Sequence, residues 1–211
     1  MNRQGESSAM NYRTRDFSPS MYSGRGLGRG STADCLRKRA RPPTLGTRVG
    51  SFIRILGIDP GLQLTGYGVI DYSPTKSRLI DGGVIRLNPK QSIASRLVEL
   101  ERELREIIEE HKPAICAVEE LYAHYKHPRT AILMGHARGV ILLCARRAGT
   151  EIEAFAANRI KQSVTGHGHA SKEQMQRAIQ FIFGLKTVPE PPDVADALAV
   201  AVCCGRMRED R

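Results

Sequence analysis

The sequence lacks any apolar run close to the roughly 20 residues that a membrane-spanning helix needs. Its five cysteines also lack the paired Cys and His spacing of a zinc site. Their number is odd and several lie in apolar runs, which is typical of reduced, buried thiols in a cytosol. We therefore expect a cytoplasmic protein with no membrane contact. The cysteines are Cys35, Cys116, Cys144, Cys203 and Cys204.

Acidic residues are scarce in the first 50 positions. This stretch has ten Lys and Arg residues against three acids, a net charge of +7, which leaves only +3 of the chain's formal +10 for residues 51–211. It is rich in Ser, Gly and Arg and has no hydrophobic periodicity, so it cannot bury enough apolar surface to offset the entropy lost on ordering. We predict a basic, disordered extension over residues 1–50, one domain over 51–207 and a polar end over 208–211.

The remaining chain has the pattern of an α/β domain. Three predicted strands come first and are followed by alternating helices and strands, which indicates a mixed sheet with an antiparallel wing, flanked by helices. The stripe of Leu and Ile after Gln91 gives the clearest helix. The predicted strands cover 52–58, 66–72, 78–87, 114–118 and 151–155, and the predicted helices cover 92–111, 129–148, 158–164, 171–183 and 193–205.

Four carboxylates lie where these predicted elements begin or end. Asp59 follows the first strand in an Asp-Pro-Gly turn, and Glu119 follows the strand over 114–118. If these strands are neighbours, the two side chains emerge at one edge of the sheet. Asp193 and Asp196 open the last helix three residues apart, so they share a helical face. Taken singly, each has a simpler interpretation as a turn residue, a solvated acid or a helix cap.

Taken together, the four acids indicate a metal site. Two carboxylates about 4 Å apart repel by roughly 4 kcal/mol at an effective dielectric constant near 20, so a compact cluster needs cations or bound protons. Oxygen ligands without thiols favour Mg²⁺ or Mn²⁺ over zinc. The pattern points to metal-dependent cleavage of a phosphodiester backbone.

Seven short motifs occur in order between about Ile53 and Cys204, and in this order they resemble the RuvC family of Holliday junction resolvases. A single motif of this kind has little specificity, but seven in register are specific to the family. The motifs are GIDPG at 57–61, TGYG at 65–68, VEE at 118–120, GHARG at 135–139, NRIKQ at 158–162, GHGHASK at 166–172 and DVADAL at 193–198.

The resemblance implies an RNase H-like fold with a five-stranded mixed sheet. It also implies a homodimer, with a dimer contact on the helix over 129–148, that resolves four-way DNA junctions in recombination and repair by symmetric nicks leaving 5′-phosphate and 3′-hydroxyl ends. A branch-migration complex of the RuvA and RuvB type is implied as a partner. By motif position, the catalytic carboxylates are Asp59, Glu119, Asp193 and Asp196.

The chemistry expected of such a site uses two Mg²⁺ ions, with Mn²⁺ as the alternative ion. One ion activates and orients the attacking water and the other stabilises the leaving oxygen, so no covalent nucleophile is needed. We expect Asp59 to bridge both ions, Glu119 and Asp196 to flank it, and Asp193 to orient water or complete one ligand shell.

Basic and aromatic residues near this edge are candidates for DNA contact. Tyr122 stands where the family usually has a phenylalanine that stacks on junction bases, and it lies in a loop that also contains Lys126. Lys161 and Lys172 match lysines that the family uses against the DNA backbone, and Arg159 is a candidate by position. Each of these could instead be an ordinary exposed side chain or, for Tyr122, a cover for the core.

Several alternatives remain open from the sequence. The extension is a DNA-binding arm, an organellar transit peptide, or the product of an upstream start codon; the family's first strand begins near the amino terminus, so we favour the last. An actin-like or sugar-kinase ATPase shares the first loop but needs a second domain. A nuclease for other nucleic acids and a junction-binding protein that does not cut are the remaining rivals.

Overall fold

The structure is a computed structural model, and it describes residues 13–15, 52–61, 63–121 and 128–209. Each predicted helix and strand is present, with ends shifted by a few residues at most. The strands are β1 (Arg13–Arg15), β2 (Ile53–Asp59), β3 (Leu64–Ser73), β4 (Lys76–Arg86), β5 (Ile115–Glu119) and β6 (Glu151–Phe155). The helices are α1 (Ile93–His111), α2 (Pro128–Arg147), α3 (Ala157–Thr165), α4 (Lys172–Phe183) and α5 (Pro192–Glu209).

The strands form one mixed sheet in the order β1-β4-β3-β2-β5-β6. The antiparallel wing is β2, β3 and β4, while β5 and β6 continue the sheet in parallel with β2. The predicted mixed sheet of five strands flanked by helices is therefore confirmed for β2 to β6.

A sixth strand lies at the edge of this sheet, and the sequence analysis did not predict it. Arg13–Arg15 pairs in parallel with β4, within the segment predicted to be disordered. Three residues show no periodicity that could reveal a strand, so the pairing partner alone defines it. The other residues of the predicted disordered extension lie outside the described part of the chain.

Helices cover both faces of the sheet. On one face, α1 and α2 pack through a cluster of large side chains that includes Tyr67, Leu104 and Ile141. On the other face, α5 crosses the sheet, with α3 and α4 packed against it. Among the described residues, no helix combines the length and the apolar character that crossing a membrane requires.

The last helix continues past the predicted end of the domain at residue 207. Arg208 donates hydrogen bonds to Glu151 and to Glu153 on β6, and Tyr72 is hydrogen-bonded to Glu209. Two of the four residues predicted as a polar end therefore belong to α5, because their charged side chains find partners on the sheet.

Candidate active site

Asp59 and Glu119 end two neighbouring parallel strands. Ile55 of β2 lies opposite Ile115 of β5 in the register, and both are buried beneath α5. Asp59 and Glu119 each follow these residues by four positions. Because side chains alternate between faces along a strand, both carboxylates belong to the face that α5 covers. They emerge side by side at the carboxyl edge of the sheet.

The start of α5 lies directly over the end of β2. Gly66 on β3 is the ladder partner of Asp59. A Cβ atom at Gly66 would overlap the backbone carbonyl of Asp193, so only a residue without a side chain lets the first turn of α5 rest on the sheet at this point. Asp196 follows three residues later and therefore lies on the same side of the helix. The helix thus brings both of its aspartates towards Asp59.

The ionisation of the cluster shows that the four carboxylates interact. Burial raises the pKa of Asp59 to about 8. The negative charges of Glu119, Asp196 and Asp193 add to this rise. Burial also raises the pKa of Glu119 and of Asp196, and the charge of Asp196 adds to the rise at Glu119. Together with the register of β2 and β5 and the contact between Gly66 and Asp193, these charge effects agree with a location of all four predicted carboxylates at one edge of the sheet.

Two lysines lie at the same edge. The positive charge of Lys172 lowers the pKa of Asp59 and of Asp196, against the rise that burial causes. The charge of Lys161 does the same for Glu119 and Asp196. Lys172 opens α4, where Ser171 and Gln174 form a capping box that fixes the start of the helix. Both lysines therefore place positive charge beside the carboxylates.

The donor set fits a hard divalent cation. It consists of carboxylate oxygens, and the raised pKa of Asp59 shows that these groups hold negative charge poorly without compensation. Within the described residues, no group of three or more His, Cys, Asp or Glu side chains is already close enough to form a complete ligand shell. A divalent cation bound among the carboxylates would offset their mutual repulsion.

Thr65 closes the turn that follows Asp59, a role that the sequence analysis did not assign. Its buried hydroxyl donates to the carbonyl of Gly61 at 2.6 Å. A Cβ atom at Gly61 would overlap the carbonyl of Leu64, so the turn needs glycine there. The signal in the sequence was a polar residue at the start of a strand that is otherwise buried.

Gln176 is a second residue that the sequence analysis missed. It is buried in α4, and its amide donates to the carbonyl of Pro189 at 3.0 Å and to Glu190 at 3.1 Å. These two residues lead directly into α5, so Gln176 holds the segment that delivers Asp193. A polar residue on the apolar face of an amphipathic helix was the available signal.

Of the other candidates for DNA contact, Arg159 does not join the cluster. Arg159 donates to the sulfur of Met207 at 3.5 Å, alongside the carboxyl-terminal half of α5. Met207 is 14 residues after Asp193, which is about 21 Å along a helix at 1.5 Å per residue. Tyr122 and Lys126 lie outside the described residues.

Comparison with known proteins identifies the family to which the chain is similar. The family model described as "Crossover junction endodeoxyribonuclease RuvC" matches residues 55–204. A protein of that name from Rhodopirellula baltica is 46% identical over 156 residues, which is 74% of this chain and 88% of the relative. Another from Petrotoga mobilis is 45% identical over 154 residues, covering 73% of this chain and 94% of the relative.

The chain belongs to the RuvC family. RuvC from Thermus thermophilus aligns with a TM-score of 0.68 at 33% identity, covering 75% of this chain and 97% of that one. The structure of T. thermophilus RuvC in complex with a Holliday junction substrate aligns at 0.70 and 32% identity, with coverages of 75% and 96%. The RNase H-like fold and the nuclease class expected from the motifs are therefore confirmed.

Proposed function

We propose that this chain resolves four-way DNA junctions by metal-dependent nicking, as a Holliday junction resolvase. The location of Asp59, Glu119, Asp193 and Asp196 at one edge of the sheet carries the proposal, since Asp59 and Glu119 end adjacent parallel strands and the first turn of α5 contacts Gly66, the ladder partner of Asp59. Membership of the RuvC family supports it, and so does the likeness to a RuvC that binds a Holliday junction. The predicted products carry 5′-phosphate and 3′-hydroxyl ends: water would attack the phosphorus, the bond from phosphorus to the 3′ oxygen would break, and that oxygen would leave as the 3′-hydroxyl.

We propose that the four carboxylates hold two Mg²⁺ ions, with Mn²⁺ as the alternative. Ions bound there would supply an activated water and charge stabilisation for the leaving oxygen. The chain's own contribution is placement. Asp59 and Glu119 stand on adjacent strands that cannot move apart without breaking the sheet, and α5 fixes Asp193 and Asp196 against the same strands.

The proposed DNA contacts divide by position. Lys161 and Lys172 lie beside the carboxylates, so we assign them to the phosphates next to the scissile bond. Tyr122 and Lys126 stay candidates for base stacking and backbone contact, from the loop that follows Glu119. Arg159 lies farther from the carboxylates, and we assign it to a more distant phosphate.

Symmetric nicks need two active sites, and we propose that a homodimer supplies them. One side of α2 exposes Ile132 and Leu143, which are 60% and 48% accessible, and Gly135 and Gly139 on the same helix leave room for a close neighbour. This helix is therefore the proposed self-association surface. Partners of the RuvA and RuvB type and a cytoplasmic location are proposed on family grounds alone.

A synthetic four-way junction tests the proposal directly. The protein is incubated with the labelled junction with and without Mg²⁺, and both nicks are mapped to the nucleotide. We expect paired, symmetric, ligatable nicks that need the metal. Glu119→Gln should abolish the nicks and keep junction binding. Glu120→Gln, the same change at the exposed neighbouring residue, should leave both nicking and binding intact. Tight binding without nicks would identify a junction-binding protein that does not cut.

A further inference from the structure

One flank of α1 carries a row of acids that the proposed chemistry does not use. The row is spaced by four, three and four residues, so its members share one side of the helix. The opposite flank of α1 faces α2, where the Cys144 thiol approaches the carbonyl of Glu101. Near the end of α1, His111 contacts Asp81 of β4 at 3.0 Å. The acidic row, as we call it, consists of Glu99, Glu103, Glu106 and Glu110.

Glu99 is covered although it faces away from the core. It lies five residues before the core residue Leu104, a rotation of about 140° around a helix with 3.6 residues per turn, so the sheet that buries Leu104 does not face it. Nevertheless Glu99 is only 7% exposed. Its Oε2 atom has no hydrogen-bond partner among the described residues. The charge of Arg102 acts on Glu99, but Arg102 also pairs with Glu103 at 2.6 Å, so the four acids of the row outnumber this cation.

The N-terminal extension reaches the edge of the sheet on this side. Arg13 and Arg15 of β1 are in register with Gly83 and Ile85 at the outer edge of β4. Ile85 belongs to the cluster beneath α1, so positions 13 and 15 share the face of the sheet on which α1 lies. The first 50 residues, this strand included, carry a net charge of +7, opposite in sign to the acidic row.

We propose that the edge of β4 and the acidic row together form a docking surface for this chain's own N-terminal extension. Strand pairing at Arg13–Arg15 supplies direction and register, and opposite charge selects an arginine-rich segment. Docking also covers an edge strand that would otherwise present unpaired backbone groups to other chains. The family match begins at residue 55, so β1 lies outside the matched region.

Amide hydrogen exchange on the full chain tests the docking. In R13E/R15E, the amides of residues 83–86 at the edge of β4 should exchange at least tenfold faster than in the unmodified chain. The matched control R25E/R29E makes the same change of charge in the same extension, but outside β1, and should leave those amides protected. Equal exchange in the two variants would overturn the proposal.

A charge swap tests the acidic row independently. E103K/E106K should speed the same amides, and combining it with R13E/R15E should restore most of their protection. These two glutamates are chosen because replacing the covered Glu99 could disturb folding. Retained junction cleavage in each variant shows that the domain is folded. A failure of the docking proposal can then be distinguished from a failure of the proposed function. A combined variant exchanging as fast as either parent would exclude charge pairing.

Discussion

The two faces of the sheet are packed in different ways. The face under α1 and α2 is filled by large side chains such as Leu56, Tyr67 and Leu104, each fully buried. On the other face, α5 approaches the strands so closely that a Cβ atom at Gly57 would overlap the backbone of Ala197. Gly66 allows the same close approach to the backbone of Asp193, and Gly68 leaves room for the side chain of Leu198. Large side chains can adjust their rotamers, whereas contacts between backbones have little freedom.

This difference separates stability from catalytic geometry. The tightly packed face positions Asp193 and Asp196 over Asp59, so small displacements there reach the carboxylates. The face of large side chains contributes apolar burial and lies away from them. Changes on the first face should therefore alter the cleavage rate of folded molecules, and changes on the second should alter mainly the fraction that is folded.

Gly66→Ala should have the largest effect. The added methyl group overlaps the backbone of Asp193, so the first turn of α5 must shift relative to Asp59. A displacement near 1 Å can lower a rate by about 100-fold. We expect a loss of that size in single-turnover cleavage of a four-way junction, measured well below the melting temperature. A folded variant that cuts at the normal rate would refute the positioning role of this contact.

Leu104→Ala tests the other face. Leu104 is fully buried between α1 and the sheet, and truncating a buried leucine typically lowers stability by about 2–5 kcal/mol. Urea unfolding should show that loss. Cleavage per folded molecule should stay within about twofold of the original, because the carboxylates lie on the opposite face. A rate loss matching that of Gly66→Ala would remove the distinction between the faces.

The sequence was sufficient to predict the elements from β2 to α5 and the element ends at which the four carboxylates lie, because both depend on local pattern. Strand ends carry Asp59 and Glu119, and helix periodicity places Asp193 and Asp196 on one side of α5. Their convergence could be inferred because parallel neighbouring strands end at one edge.

Features that depend on contacts between distant segments could not be predicted. The pairing of Arg13–Arg15 with β4 has no periodic signature. The place of Arg159 depends on how α3 crosses α5, which no spacing encodes. The hydrogen bonds of Gln176 depend on the path of the chain before α5, and the sequence of that segment has no regular pattern. In each case, the partner is set by tertiary packing.

Gln176→Ala should have an intermediate effect. It removes the hydrogen bonds that hold Pro189 and Glu190, so the segment that leads into α5 loosens. We expect a loss of about 1 kcal/mol in stability and about tenfold in cleavage rate. Gln180→Ala is the matched control, since Gln180 donates to the carbonyls of Leu185 and Lys186 from the far end of the same helix. It should lose comparable stability with little change in rate, and equal rate losses would contradict the positioning role.

Asp59→Asn should change stability in the opposite direction from the other substitutions, as a gain. The pKa of Asp59 is raised by burial to about 8, so the folded state binds a proton that the unfolded state releases above about pH 4. Stability without divalent ions therefore falls as the pH rises from 4 to 8, and the amide avoids that loss. At pH 8 the variant should gain at least about 1 kcal/mol, or about 2–4 °C in melting temperature.

Thermal melts of both proteins at pH 4 and pH 8, with and without Mg²⁺, measure the effect of Asp59→Asn. At pH 4 the two proteins should melt together, because Asp59 is protonated in the folded state of the original protein. At pH 8, Mg²⁺ should stabilise the original protein more than the variant, because the carboxylate is then both charged and available to the ion. A variant that is less stable at pH 8 without metal would show that Asp59 serves the turn rather than the site. The close packing of α5 on the sheet would then serve the stability of the fold and not the placement of metal ligands.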